Sequence, residues 1–428
     1  KILAERGADM NKAMNTGTTP LYIASQYGHV EVVRALLDRG ADVNQADDDG
    51  CIPLSIASQE DHLEVVRILL DRGADINQAD NEGCTPLITA SWKGHEEMVR
   101  TLAERGVDMN NADYTGETPL YIASEKGHVD VVRVLVEKGA DINQADNIGY
   151  TPLFIASGKG HVEVMKILLE RGADINKATN NGTTPLFIAS GCGQVEVVRA
   201  LVDRGADINK AMNDGTTPLF IASLNIHVDI VKILLDRGAD INQTENSEVT
   251  PLYLASQSGY VEMVEMLLDL GVDINKTRTD GRTSLYIASL NGHVDIVKIL
   301  LDRGADINQA MDTGITPLYI ASLEGHVEVV KILAERGADT NYTLNGGGGG
   351  NLLFMASRNG NVEMVKILLE QGAHINKANK FGETPLLIAS EKGHVEVVSI
   401  LAERGADINK ADNDGATPLF IASGEGHV

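Results

Sequence analysis

The chain has 428 residues, a formal net charge of −25, 43% apolar residues and only 4% aromatics. Such acidity excludes a broad phosphate-binding face, and with it nucleic acid as a partner, and it opposes wide contact with anionic membranes; no apolar run approaches the roughly 18 residues of a spanning helix, so no membrane insertion is expected. Three cysteines, Cys51, Cys84 and Cys192, are too few and too odd in number for a disulfide framework, which points to a reducing compartment: cytoplasm by default, nucleus or a cytoskeletal assembly as alternatives.

The chain opens KILAERGAD, with no initiator Met and no signal-peptide pattern. Lys1 falls inside a helical pattern already begun, and Val428 stops just after another begins. Both ends therefore read as partial repeats without the polar outer faces an isolated array needs, and a segment of a longer polypeptide is expected. In between, prolines stand at 20, 53, 86, 119, 152, 185, 218 and 251, each 33 residues from the last, and then at 317, 385 and 418. Ser284 holds the missed position. With it and the variant Asn351-Leu352-Leu353, thirteen copies of a Thr-Pro-Leu turn or its variants are legible. A fixed period of this length marks a solenoid.

One unit reads as follows. Asn413, Asp414 and Gly415 are turn formers. Thr417 suits a helix N-cap, and Pro418 the first helical position, where its missing N–H costs nothing. A short helix follows, and a glycine such as Gly28 or Gly127 stops it in the left-handed conformation. A second helix, of the type HVEVVKILLDRG, has Val, Ile and Leu at helical spacing. Each helix spans about 8–10 residues, too short to survive alone in water, so stability must come from stacking. The expectation is one continuous array over 1–428.

The combination G-x-T-P-L, A-S-x-x-G-H and V-V-x-x-L-L-x-x-G-A-D-I-N resembles the ankyrin repeat family over essentially the whole chain. The resemblance implies an all-α repeat solenoid of about thirteen helix-turn-helix units, joined by β-hairpin-like turns and curved with a concave face. Two departures recur. Where the family has His after Thr-Pro-Leu, this chain has an aromatic, as at Tyr22, Tyr121, Phe154, Tyr253 or Phe354. That substitution predicts an aromatic ladder between stacked units. The family's second Ala is Ser, as at Ser25 and Ser58.

The array lapses in places. Glu248 replaces the turn glycine, Asp61 and Ile226 replace the helix-ending glycine, and Gln194, Tyr260 and Asn361 replace the usual His. Residues 338–353 read ADTNYTLNGGGGGNLL, two residues longer than an ordinary unit, without its Thr and Pro. Residues 338–350 are therefore expected to be an irregular Gly-rich loop, with a hinge between Gly337 and Asn351, Asn351 as replacement cap, and the run Gly346 to Gly350 at its centre.

The Ser, His and Asp of each unit are architecture rather than a catalytic set. Ten of the eleven histidines occupy one repeat position, and only His374 stands elsewhere, in place of the Asp of Gly-Ala-Asp. Stacked helices lie roughly 8–10 Å apart, too far to share a metal at about 2 Å. Cys51 and Cys84, one repeat apart, exceed the roughly 7 Å limit for a disulfide. The glycine run lacks the Lys-Ser/Thr of a phosphate loop. No catalytic residue, metal, cofactor or small-molecule substrate is expected.

The framework being fixed, the residues that vary between units carry specificity. In ankyrin-like proteins the turn tips and the end of the first helix line the concave face, where partners bind. That carry-over gives Tyr114, Ile148, Tyr150, Val249, Arg282, Ile315 and Phe381 at the tips, and Tyr27, Trp92, Lys93, Glu125, Lys126, Lys159, Leu224, Leu290 and Leu323 on the first helices. Lys93, Lys126 and Lys159 hold one slot in three successive units, set among Trp92, Tyr114 and Tyr150. They predict a basic, aromatic dock for an extended, partly acidic peptide of another protein. The leading expectation is a non-catalytic interaction scaffold. The alternatives are a structural spacer or elastic element of a large assembly, or a regulatory or targeting arm of a longer enzyme or channel.

Overall fold

A computed structural model describes residues 6–241, 248–343 and 350–427. The chain separates into two compact units, Lys1–Asp240 and Ile241–Val428. The described residues contain 25 helices and no strand. The first unit pairs seven first helices, from Pro20–Gln26 to Pro218–Leu224, with seven second helices, from Val30–Leu37 to Val228–Asp236. The second has six of the former, beginning at Pro251–Ser258, and five of the latter, beginning at Val261–Asp269. First helices run 7–8 residues and second helices 8–9, slightly shorter than the sequence suggests.

The start of each first helix is set locally. In Pro152–Lys159, Thr151 is extended (φ −87°) and its Oγ1 accepts from the Phe154 N–H at 3.1 Å, with Pro152 in the first turn. Thr283 does the same for Tyr286 where Ser284 replaces proline, and Asn351 Oδ1 accepts from Phe354 N at 3.0 Å, as expected of a replacement cap. Ile52 offers no side-chain cap. Thr151→Ala should therefore lower stability by about 1 kcal/mol, read as a shift of the urea midpoint; an unchanged midpoint would show that the cap contributes nothing.

Gly127 (φ +74°) ends helix Pro119–Lys126 in the left-handed region, where glycine has no steric cost. The three lapses named above obey the same geometry: Asp61, Ile226 and Glu248 have φ of 61°, 62° and 57°. The stacked framework imposes the conformation whatever the side chain, at about 1–2 kcal/mol each.

Each repeat buries its apolar stripe between its own two helices and against the adjoining repeats. Leu87, Leu120, Leu135 and Leu153 are among the largest fully buried side chains. Helix Val129–Glu137 packs on its own first helix, Pro119–Lys126, and on Glu96–Glu104 and Val162–Glu170. Three polar rows reinforce the stacking. Hairpin tips are joined by backbone bonds, such as Asn81 N to Asp49 O at 2.9 Å and Asn147 N to Thr115 O at 3.0 Å. Among the described residues, the Asn of one Ala-Asp-Ile-Asn-type arm accepts from the Asp N–H of the following arm, as Asn143 Oδ1 does from Asp174 N at 2.9 Å. Second-helix ends carry ion pairs one unit apart, such as Arg72–Asp38 at 2.6 Å and Arg105–Asp71 at 2.8 Å. These pairs are exposed, so each contributes between zero and about 1 kcal/mol.

The aromatic column departs from expectation. Tyr121, Phe154, Tyr253 and Phe354 are buried, but the ring pairs among the described residues are Tyr27–His29 and Tyr150–Phe154. The column is a row of separate apolar plugs rather than a stacked ladder, because the unit spacing exceeds the reach of one ring for the next. The loop and hinge expected between Gly337 and Asn351 centre on residues 344–349, which lie outside the described residues. On either side of them register holds: Asp339 N bonds Asn308 Oδ1 at 3.0 Å, and Asn341 Oδ1 accepts from His374 N at 2.7 Å.

Candidate functional site

The repeated histidines have a definite task. His161 Nε2 lies 2.8 Å from the Glu125 carbonyl of the preceding unit, and His62, His95 and His128 reach Gln26, Gln59 and Trp92 in the same way at 2.9–3.0 Å. A carbonyl oxygen only accepts, so Nε2 carries the proton and donates. Each ring is thereby a staple between units, and its Nε2 is engaged in the framework. His374 makes its contact through its backbone N–H. Cys51 Sγ donates to Asp80 Oδ2 at 3.8 Å. Burial, reinforced by Asp47 and Asp80 respectively, pushes the Cys51 and Cys84 thiols up to about 12, so neither is a thiolate nucleophile at neutral pH. Among the described residues, no three His, Cys, Asp or Glu side chains converge on a metal-sized site.

In the first unit the structure gathers part of the expected dock. Helices Pro86–Lys93, Pro119–Lys126 and Pro152–Lys159 all end in glycines at φ between 74° and 83° and align their last residues. Trp92 is 48% exposed. Its ring has Lys93 Nζ 4.7 Å and Lys126 Nζ 6.0 Å from the centroid, each contact contributing about 0.5–1 kcal/mol at such exposure. The lysine row is not a bare cationic strip, however. Glu125 sits between its members, 3.0 Å from Lys126 Nζ and 3.3 Å from Lys159 Nζ. Burial pulls the Glu125 carboxyl upward, but the two ammoniums outweigh it and hold it below the usual carboxylate range. Glu117 shows the opposite balance, raised by burial and by Asp113 and Glu125.

The aromatic residues divide. Tyr114 stands on its hairpin tip at 72% exposure, and Ile148 at 54%. Tyr150 folds back onto Phe154, centroids 4.3 Å apart, and packs against Ile88, Tyr121 and Ile122. It is a half-buried framework residue rather than an open anchor. Tyr27 is exposed beside His29, and Leu224 projects at 46% exposure.

In the second unit, Leu323 is 48% exposed, whereas Leu290 and Ile315 are half-buried. Phe381 is exposed under Lys380 Nζ, 5.0 Å from its ring centroid. It borders a cavity of about 490 Å³ whose wall includes Tyr319, Phe354, Arg358 and Lys392. Val249 is buried and therefore part of the framework. Arg282 is half-buried over the ring of Tyr286. Beside it lies a residue that the sequence reading passes over, Arg278, over the ring of Tyr253. The signal was present: Arg278 falls in the hairpin slot that is Asp at 47, 80, 113, 146 and 412.

Comparison with known families is unambiguous in kind. A family model of ankyrin repeats in three copies matches residues 1–80, 44–113, 74–146, 144–212, 205–278, 271–344 and 349–428. A second, of ankyrin repeats in many copies, matches residues 324–369. A search of curated proteins finds no match.

Proposed function

The chain belongs to the ankyrin repeat family, and from that premise we propose that it is a non-catalytic scaffold binding an extended, partly acidic segment of another protein. Ankyrin repeats are in general protein-interaction modules. The observation that carries the finer reading is Trp92, half-exposed between the ammoniums of Lys93 and Lys126 on a chain of net charge −25. A large ring with a polar edge, flanked by cations, is the composition of an interface anchor. Tyr114 and Ile148 extend the apolar contact, while Glu125, paired with Lys126 and Lys159, is the internal carboxylate that the partner's acidic groups displace. The face that the tips and first-helix ends form is the concave face of the family's fold. Cytoplasm is the proposed location.

The paired double variant Trp92→Ala and Tyr114→Ala should weaken capture of the native partner about 30-fold or more, the effect of losing about 2 kcal/mol at an anchor, with circular dichroism unchanged. A photo-cross-linker placed at 92 or 114 should reach the same partner, whereas one on the second-helix face at Glu163 should not. Cross-links confined to second helices would instead favour the spacer reading. The regular second-helix pairs Arg72–Asp38 and Arg105–Asp71 give that reading its one specific support, since they tie unit to unit without addressing a partner.

A further inference from the structure

We infer that the cavity bordered by Phe381, in the second unit, is a docking site for an extended segment of another protein that places a carboxylate on Arg358 and apolar side chains against Phe381. The cavity encloses about 490 Å³, and Tyr319, Phe354 and Ile388, all buried, give it an apolar floor. Phe381, on the same wall, is 53% exposed, with Lys380 Nζ 5.0 Å from its ring centroid. No other repeat puts a ring in this hairpin slot, which is Asp49, Glu82, Asn181, Asp214 or Asp414 elsewhere. An exposed ring beside an apolar floor gains when a partner's apolar side chain removes both from water.

Charge selects the occupant. Arg358 ends helix Leu352–Arg358, lines the same cavity and is exposed. Its carbonyl is held by His394 Nε2 at 3.0 Å, so the backbone belongs to the framework while the side chain does not. Among the described residues the Arg358 guanidinium has neither an ion pair nor a hydrogen bond, and its N–H fork is open to an acceptor. The slot is Trp92, Glu125, Leu224, Leu323 or Glu391 in other repeats, and no second cation holds it anywhere in the sequence. Lys380 is likewise the only cation in its own slot, which is Asn81, Tyr114, Asn147 or Asn413 elsewhere. The two carboxylates on the wall are already engaged: Glu391 Oε1 lies 2.7 Å from Lys392 Nζ, and Glu383 Oε2 accepts from Asn379 Nδ2 at 2.7 Å. Arg358, Lys380 and Lys392 thus outnumber the local acids on a chain whose net charge is −25. An open guanidinium meets a carboxylate with two parallel hydrogen bonds. The occupant is a protein segment because repeats of this family are in general protein-interaction modules; the site does not depend on the Trp92 contact.

Alternate residues of an extended peptide share one face. The probe is therefore a fluorescein-labelled Gly/Ser nonapeptide with the centre Phe-Ser-Glu-Ser-Phe, which reads the same in either strand direction. Its controls carry Phe-Ser-Gln-Ser-Phe and Ala-Ser-Glu-Ser-Ala, and binding is followed by anisotropy on the full chain at low salt. The probe should bind at least about tenfold more tightly than either control. Arg358→Gln should abolish the advantage over the glutamine control, and Arg358→Lys, which keeps the charge and loses the fork, should reduce it severalfold. Phe381→Ala should reduce the advantage over the alanine control severalfold. Both side chains are exposed, so circular dichroism should not change. Trp92→Ala should leave every value unchanged, which separates failure here from failure of the proposed scaffold contact. Undetectable binding of the probe, or binding no tighter than the glutamine control, overturns the inference. So does a preference for glutamate that survives Arg358→Gln. An alanine control that binds as tightly as the probe would mark a site for small anions only, and overturns it too.

Discussion

Leu135→Ala should destabilise the chain by about 2–5 kcal/mol, the range for a fully enclosed leucine whose surroundings cannot collapse. Leu135 is 0% exposed in helix Val129–Glu137, held between Glu96–Glu104 and Val162–Glu170 and against its own first helix. The loss is not confined to one unit, because a repeat is stabilised chiefly by its two interfaces. Amide exchange should therefore accelerate in both flanking second helices, with a smaller change in Pro20–Gln26, and the urea midpoint should fall. Leu224→Ala provides the contrast. That side chain is 46% exposed, and its removal should change stability by no more than about 0.5 kcal/mol. Equal effects at the two positions would mean that burial against neighbouring units is not what holds the array together.

The second large effect runs the other way. Ser91 and Ser124 are fully buried in their first helices, and their hydroxyls have no hydrogen-bond partner. In the same slot, Ser157 and Ser190 each donate to the carbonyl four residues back, at 2.7 Å. A buried hydroxyl without a partner costs about 1–3 kcal/mol, and alanine is the better helix former. The double variant Ser91→Ala, Ser124→Ala should therefore raise stability by about 2 kcal/mol or more, measured by urea unfolding. Ser157→Ala, which deletes a made bond, should be neutral or slightly destabilising. A gain at Ser157 as large as at Ser124 would show that the unpartnered hydroxyl is not the cause. The family's alanine at this position is thus the less costly choice for stability wherever the serine lacks its carbonyl.

Much of the molecule was legible in one dimension because its rules are local and repeated. The 33-residue spacing, the Thr cap before Pro, the glycine after each helix and the Val/Leu stripe each act within a few residues of chain. Even Asp61, Ile226 and Glu248 could be placed in left-handed positions, since the period says where the framework demands one. Asn351 as a cap followed from the same register. Candidate surface residues were harder. Register assigns a residue to the hairpin tip or the helix end, and Trp92, Lys93, Lys126 and Lys159 lie at the ends of three successive first helices. It gives no rotamer, so it could not foresee Tyr150 folded onto Phe154 or Glu125 set between two of the lysines.

The sequence by itself determined the unit, its period and the chemistry of each helix end. The reason is that caps, turns and 3.6-residue periodicity depend on contacts within about one helical turn. Only the tertiary structure decided what passes between units. It showed His161 donating to Glu125 O, 36 residues back, Asn143 receiving Asp174 N from the next arm, and Arg278 and Arg282 lying over Tyr253 and Tyr286. Those partners are distant in sequence and adjacent only once the helices stack, and each is chosen by side-chain direction and spare volume, which a linear pattern does not carry.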